Sequence, residues 1–129
     1  MKVLIVEDLK FKRNQLIDFL KKKNIEFEVC EYVNDALRYI YINKEDISGI
    51  ILDLGLQTSA DNNDHALDRG LDIVYELDRI NLNIPILINS TTFVGMLEEY
   101  PFIYGQRTKM ESYEMLEKFI NFLTNEKEQ

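Results

Sequence analysis

Five side chains in this sequence carry groups that could act together on an anion: Glu7 and Asp8, Asp53, Ser90 and Lys109. The acid pair follows the apolar run Val3–Val6, Asp53 lies near the end of Gly49–Leu54, Ser90 follows Ile86–Asn89, and Lys109 follows Phe102–Tyr104. Each of these alone has an ordinary reading: solvated loop acids, helix N-terminal charges, a turn serine, a surface lysine. Brought to one rim they do more. Two carboxylates ~4 Å apart repel by about 4 kcal/mol at an effective dielectric of 20, and burial raises that cost unless a proton or a cation joins them. A hard divalent ion suits such a set, and magnesium typically takes one or two carboxylates, waters and phosphate oxygens. With it in place, a carboxylate can attack a phosphoryl donor while an ammonium offsets the developing charge and a hydroxyl donates to one phosphoryl oxygen.

The elements that would position these groups alternate along the chain. Val3–Val6 is a short apolar run suited to a parallel strand covered on both faces. Residues Phe11 to Lys23 read as a helix with Leu16, Phe19 and Leu20 on one side. Glu26–Tyr32 alternates apolar and charged residues and reads as a strand nearer an edge. Asn34 is placed to cap a helix through Asn43 with Leu37, Ile40 and Tyr41 at helical spacing. The third strand is Gly49–Leu54. A helix from Leu71 to about Leu82 carries Leu71, Val74, Tyr75 and Leu77. The fourth strand, Ile86–Asn89, opens after Pro85. A short helix near Phe93–Glu99, a fifth apolar stretch at Phe102–Tyr104 and a last helix from Ser112 with Leu116, Phe119, Ile120 and Leu123 complete the pattern. Such alternation predicts an α/β fold, a doubly wound five-stranded parallel sheet with helices on both faces, and places a site beyond the carboxyl ends of the strands.

Composition narrows the function classes. The 129 residues are 46% hydrophobic and suit one domain without an output domain. Fifteen basic against 23 acidic residues give a net charge of −8, which disfavours nucleic-acid backbones. One cysteine, Cys30, and one histidine, His65, cannot build a soft-ligand metal site. Cys30 is expected as a small core residue of a strand. No apolar run reaches the ~20 residues of a membrane span, and the expected location is cytoplasmic. The acid pair argues against a flavin phosphate in the first loop. Gly55, two residues after Asp53, argues against a phosphatase of the haloacid dehalogenase type, which would want a second acid there.

The sequence resembles the receiver domain of two-component response regulators over essentially its whole length. The resemblance is carried by Val3-Leu4-Ile5-Val6-Glu7-Asp8, by Arg13 and Leu16, by Asp35-Ala36-Leu37, by Ile50-Ile51-Leu52-Asp53-Leu54, by Gly70-Leu71-Asp72-Ile73-Val74, by Pro85-Ile86-Leu87-Ile88-Asn89-Ser90, and by Lys109 seven residues before Leu116. It implies a flavodoxin-like sheet of strand order 2-1-3-4-5. It also implies roles. Asp53 would be the phosphoacceptor and a direct Mg2+ ligand, Asp8 a direct ligand, Glu7 a ligand through water, and Gly55 a ligand through its carbonyl. Ser90 would hydrogen-bond the phosphoryl group and Lys109 would pair with it. The implied partners are a sensor histidine kinase or phosphotransfer protein and a downstream protein, with no direct nucleic-acid or membrane contact. The only chemistry implied is self-phosphorylation and self-dephosphorylation.

Some positions depart from the family. Met110 stands where a proline usually follows the lysine, with a cis peptide before it. Gln106 replaces the aromatic switch residue. Tyr104 is nearby, and its side chain would point the same way only if the strand is regular. Thr91 is larger than the usual residue after Ser90. The polar stretch Gly55–Arg69 is long for a strand-to-helix loop, and reads either as a surface insertion or as a lid or partner-docking segment that controls access to Asp53. The altered switch region keeps a second function open: a receiver-like protein-interaction module that works without phosphorylation.

Overall fold

A computed structural model describes residues 1–56, 59–60, 69–91 and 95–128, the side chains of 96 and 126–128 aside. The elements, in chain order, are β1 (Lys2–Val6), α1 (Lys10–Lys22), β2 (Glu26–Cys30), α2 (Val33–Asn43), β3 (Gly49–Leu52), α3 (Leu71–Arg79), β4 (Ile86–Asn89), a 3-10 helix (Gly95–Glu99), β5 (Ile103–Arg107) and α4 (Glu114–Glu128). The five strands pair in parallel in the order β2-β1-β3-β4-β5. This is the flavodoxin-like sheet expected from the sequence.

Period-two alternation divides the core into two layers. Leu4, Val6, Ile50, Leu52, Ile86 and Ile88 face α2 and α3, where Ala36, Ile40, Ile73, Val74 and Leu77 meet them. Val3, Ile5, Ile51 and Leu87 face α1 and α4, packing on Leu16, Phe19, Leu20, Leu116, Phe119, Ile120 and Leu123. The central strands β1, β3 and β4 are buried on both faces, hence their unbroken apolar runs. The edge strand β2 is half exposed and alternates, and Cys30 ends it, buried. Burial pushes the Cys30 thiol up to about 11, with Asp35 and Glu28 adding to the effect.

Several boundaries and faces differ from the sequence expectation. Helix α3 stops at Arg79 rather than near Leu82 because Asn81 takes a left-handed φ of 58°, and the Leu82 N–H turns back to the Leu77 carbonyl at 2.9 Å. Asn24 ends α1 in the same way, at φ 57°. Helix α2 begins at Val33 after Tyr32, and no side chain caps it, so Asn34 is inside the helix rather than its cap. Tyr41 and Tyr75 lie on exposed faces, not in the core; Tyr41 donates instead to Glu76 of α3. Strand β5 runs on to Arg107, beyond the short Phe102–Tyr104 stretch, because Gly105, Gln106 and Arg107 pair along β4 despite their polarity. Ser112 precedes α4 by two residues, and its Oγ accepts the Glu114 N–H at 3.4 Å. Phe93 and most of the Gly55–Arg69 stretch, His65 included, lie outside the described residues. Among the described residues all peptide bonds are trans, and no helix is long and apolar enough to cross a membrane.

Candidate functional site

The carboxyl ends of β1 and β3 are neighbours, in register from Val3↔Gly49 to Val6↔Leu52. The residues just past them therefore meet. Glu7 continues the parity of Val3 and Ile5, and Asp53 that of Ile51, so both fall on the α1 side of the sheet. The Asp53 N–H donates to the Val6 carbonyl at 3.0 Å and the Glu7 N–H to the Cys30 carbonyl at 3.1 Å, fixing both backbones to β1 and β2. Glu7, Asp8 and Asp53 each offer a carboxylate oxygen within 4.8 Å of the others. Glu7 is fully buried, Asp53 nearly so, and Asp8 half-buried.

Burial and repulsion act on these acids together. Glu7 is held well above the usual carboxylate range, at about 8, first by burial and then by the Asp53 charge. Asp8 is raised for the same two reasons. One Glu7 oxygen, Oε2, accepts the Leu9 N–H at 3.2 Å and so helps start α1, whose own N-cap residue supplies no side-chain bond. The other, Oε1, is buried and accepts no hydrogen bond. Its contact is an ion pair with Lys12 Nζ at 3.4 Å, outside hydrogen-bond geometry. Three oxygen donors of this charge, one of them orphaned, suit a hard cation better than any neutral group.

Gly70 closes the site from beneath. A Cβ there would lie 2.3 Å from the Asp53 carbonyl oxygen and 2.7 Å from Leu54 Cα, so only glycine lets the start of α3 approach the end of β3. Its N–H donates to the Leu54 carbonyl at 3.0 Å. Gly55 sits beside the Asp53 carboxylate: a Cβ on it would be 3.8 Å from Oδ2.

The β4 and β5 ends are arranged differently from expectation. Ser90 is buried at the end of β4, its N–H donating to the Arg107 carbonyl at 3.1 Å and its carbonyl accepting from Gln106 Nε2 at 3.1 Å. Lys109 is exposed, and no ion pair joins it to Asp53. The ammonium at Asp53 is that of Lys12, with Nζ 3.3 Å from Oδ1. The strand is not regular either. Ile86 pairs with Ile103 but Leu87 with Gly105, leaving Tyr104 in a bulge, where its ring packs on Phe119 and Phe122 of α4 at 5.4 and 5.0 Å.

The residue that organises this end is Arg107, which the sequence reading passed over. It is buried on the α1–α4 side. It donates to Asn89 Oδ1 at 3.0 Å, Gln15 Oε1 at 3.1 Å, the Ser112 carbonyl at 2.8 Å and the Met110 carbonyl at 2.5 Å, and lies over the Tyr113 ring. Gln15 Nε2 donates to the same Met110 carbonyl at 2.7 Å. The Lys109–Met110 backbone is thereby tied to α1. Lys12 was missed as well. Its signal is a cation in the first turn of a helix that has no acid there, five residues after Glu7.

No family model matches the sequence, and no curated protein matches it. Solved structures do. A two-component response regulator from Clostridium difficile matches with a TM-score of 0.74 at 17% identity, over 97% of this chain and 96% of that one. The receiver domain of Francisella response regulator 1452 matches at 0.74 and 20%, over 98% of each chain. The fold is that of a receiver domain. A third match is response regulator TrrA from Thermotoga maritima, solved in complex with Mg2+-BeF, at 0.69 and 16%, over 95% of this chain and 97% of that one. Within that fold, this chain gathers the Glu7, Asp8 and Asp53 carboxylates past the ends of β1 and β3.

Proposed function

We propose that this chain is a cytoplasmic phosphoacceptor of a two-component phosphorelay, taking a phosphoryl group on Asp53 with Mg2+ held by Asp53, Asp8, the Gly55 carbonyl and, through water, Glu7. The observation that carries this is the convergence of the Glu7, Asp8 and Asp53 carboxylates within 4.8 Å at the receiver fold's strand ends. The bound ion would neutralise the acids and the phosphoryl oxygens. An Asp53 oxygen attacks the phosphorus of the donor, the bond from phosphorus to the donor's leaving group breaks, and that group departs with the electron pair. The backbone bond from the Asp53 N–H to Val6 and the close seat of Gly70 hold the acceptor in place. Ser90, at the end of β4, would donate to a phosphoryl oxygen, and Lys109 would supply a cation at its outer side. The donor would be a histidine kinase or phosphotransfer protein, and the output would pass to a protein partner.

A second reading, a phosphorylation-independent interaction module of the same fold, is favoured by one observation: the cation at Asp53 is Lys12, while Lys109 is exposed. Acetyl phosphate separates the two. On the first reading it adds one labile phosphoryl group to the intact mass in the presence of magnesium, and Asp53→Asn abolishes the addition. No gain in the parent protein establishes the second reading; an equal gain in Asp53→Asn removes Asp53 as the acceptor.

A further inference from the structure

We infer that Lys12 is a built-in counter-cation of the acid cluster, and that a divalent ion must displace its ammonium to bind. The inference rests on the reading of the cluster as an ion site.

The placement of Lys12 is costly on its own terms. It lies in the first turn of α1, where the helix dipole disfavours cations, and Lys10 and Arg13 flank it in the same turns. A lysine stem also loses rotamer freedom when it is held down, and only 19% of this side chain is exposed. The compensation is the cluster. Nζ lies 3.3 Å from Asp53 Oδ1 and 3.4 Å from Glu7 Oε1, reaching across from helix to sheet.

The same carboxylate oxygens cannot serve both cations equally. A divalent ion seated on those oxygens would meet the ammonium at close range, and the two cations would repel. Lys12 and Arg13 differ in their freedom to move. Arg13 is tied to the backbone of the acid pair, donating to the Glu7 and Asp8 carbonyls at 3.4 Å each, and pairs with Glu31 at 2.8 Å. Among the described residues Lys12 pairs with the cluster alone, and its compact ammonium on a four-carbon stem can swing outward to water. Position 12 therefore sets ion affinity, while Arg13 holds the loop that carries the ligands.

The test is calorimetric titration of the full chain with Mg2+ and with Mn2+, for the parent, Lys12→Gln, Lys12→Met and Lys12→Arg, together with thermal melts in chelator. Either neutral variant should bind the ion roughly tenfold more tightly or better. Both should melt lower than the parent in chelator, because three acids have lost their partner. Lys12→Arg should bind no more tightly than the parent. Parent-like affinity in both neutral variants overturns the inference and leaves the ion site standing. Absence of binding in the parent and all variants overturns the ion site itself, and the inference with it.

Discussion

The two ends of the site each hold a nearly buried cation on the same face of the sheet, yet they are built on opposite principles. Lys12 sits among carboxylates and donates to Asp53. Arg107 sits among neutral oxygens from β4, α1 and the loop after β5, and among the described residues no carboxylate pairs with it. Burial lowers its proton affinity, but a guanidinium keeps its charge at any ordinary pH. A point charge among like-charged acids is exchangeable. A planar fork with several fixed acceptors is not. On the proposed reading the acid end would respond to an ion while the β5 end stays as a fixed wall.

The comparison is broken most severely by removing the wall. Arg107→Ala removes the donor from Asn89 Oδ1, Gln15 Oε1 and the Ser112 carbonyl, leaves the Met110 carbonyl to Gln15, and opens a cavity, and should cost about 3 kcal/mol or more in chemical denaturation. Arg107→Met, which fills the space and removes a buried charge, should cost clearly less. Equal losses in the two would mean that the hydrogen-bonded fork, not packing, is what Arg107 supplies.

Gly70→Ala tests the floor beneath the acid end. Its Cβ would meet backbone atoms at 2.3 to 2.9 Å, which cannot yield as a side chain would, so α3 or Asp53 must shift. A loss of about 2 kcal/mol is expected, with weaker ion binding. An unchanged melting temperature and ion affinity would show that the approach has room to relax.

Glu7→Gln sharpens the contrast in the other direction. It replaces an acid that the cluster holds at about 8 by a neutral amide, removing the cost of keeping that acid protonated or charged there, while keeping an acceptor for the Leu9 N–H. In chelator it should stabilise the protein by about 1 kcal/mol, and with Mg2+ the advantage should shrink or reverse. Destabilisation in chelator would mean that the Lys12 pair outweighs the repulsion.

The smallest effect is expected far from the site, where Glu76 joins α3 to α2. Arg79 and then Tyr41, through hydrogen bonds, hold its carboxyl at about 2, below its ordinary 4.5. A depressed carboxyl contributes stability above its unfolded value that is lost as pH falls through the folded one, so this contribution fades between about 4.5 and 2. Tyr41→Phe removes one donor, and NMR titration of Glu76 should show its midpoint moving upward. An unmoved midpoint would assign the whole effect to Arg79.

What the sequence by itself determined is the layered sheet and the acid cluster. Unbroken apolar runs at β1, β3 and β4 specify central parallel strands, and residues one or two places past such strands must share a rim, so Glu7, Asp8 and Asp53 meet. The tertiary structure alone decided which cations face them. Whether Lys12 reaches Asp53 depends on how α1 crosses the sheet, which spacing along one helix does not encode. At β5, the extra residue at Tyr104 shifts the pairing with β4, turns that ring toward α4, and places Arg107 opposite Asn89, with Lys109 exposed two residues beyond. A bulge is a pairing choice between two strands, settled by contacts distant in sequence, and so it is invisible in either strand read alone.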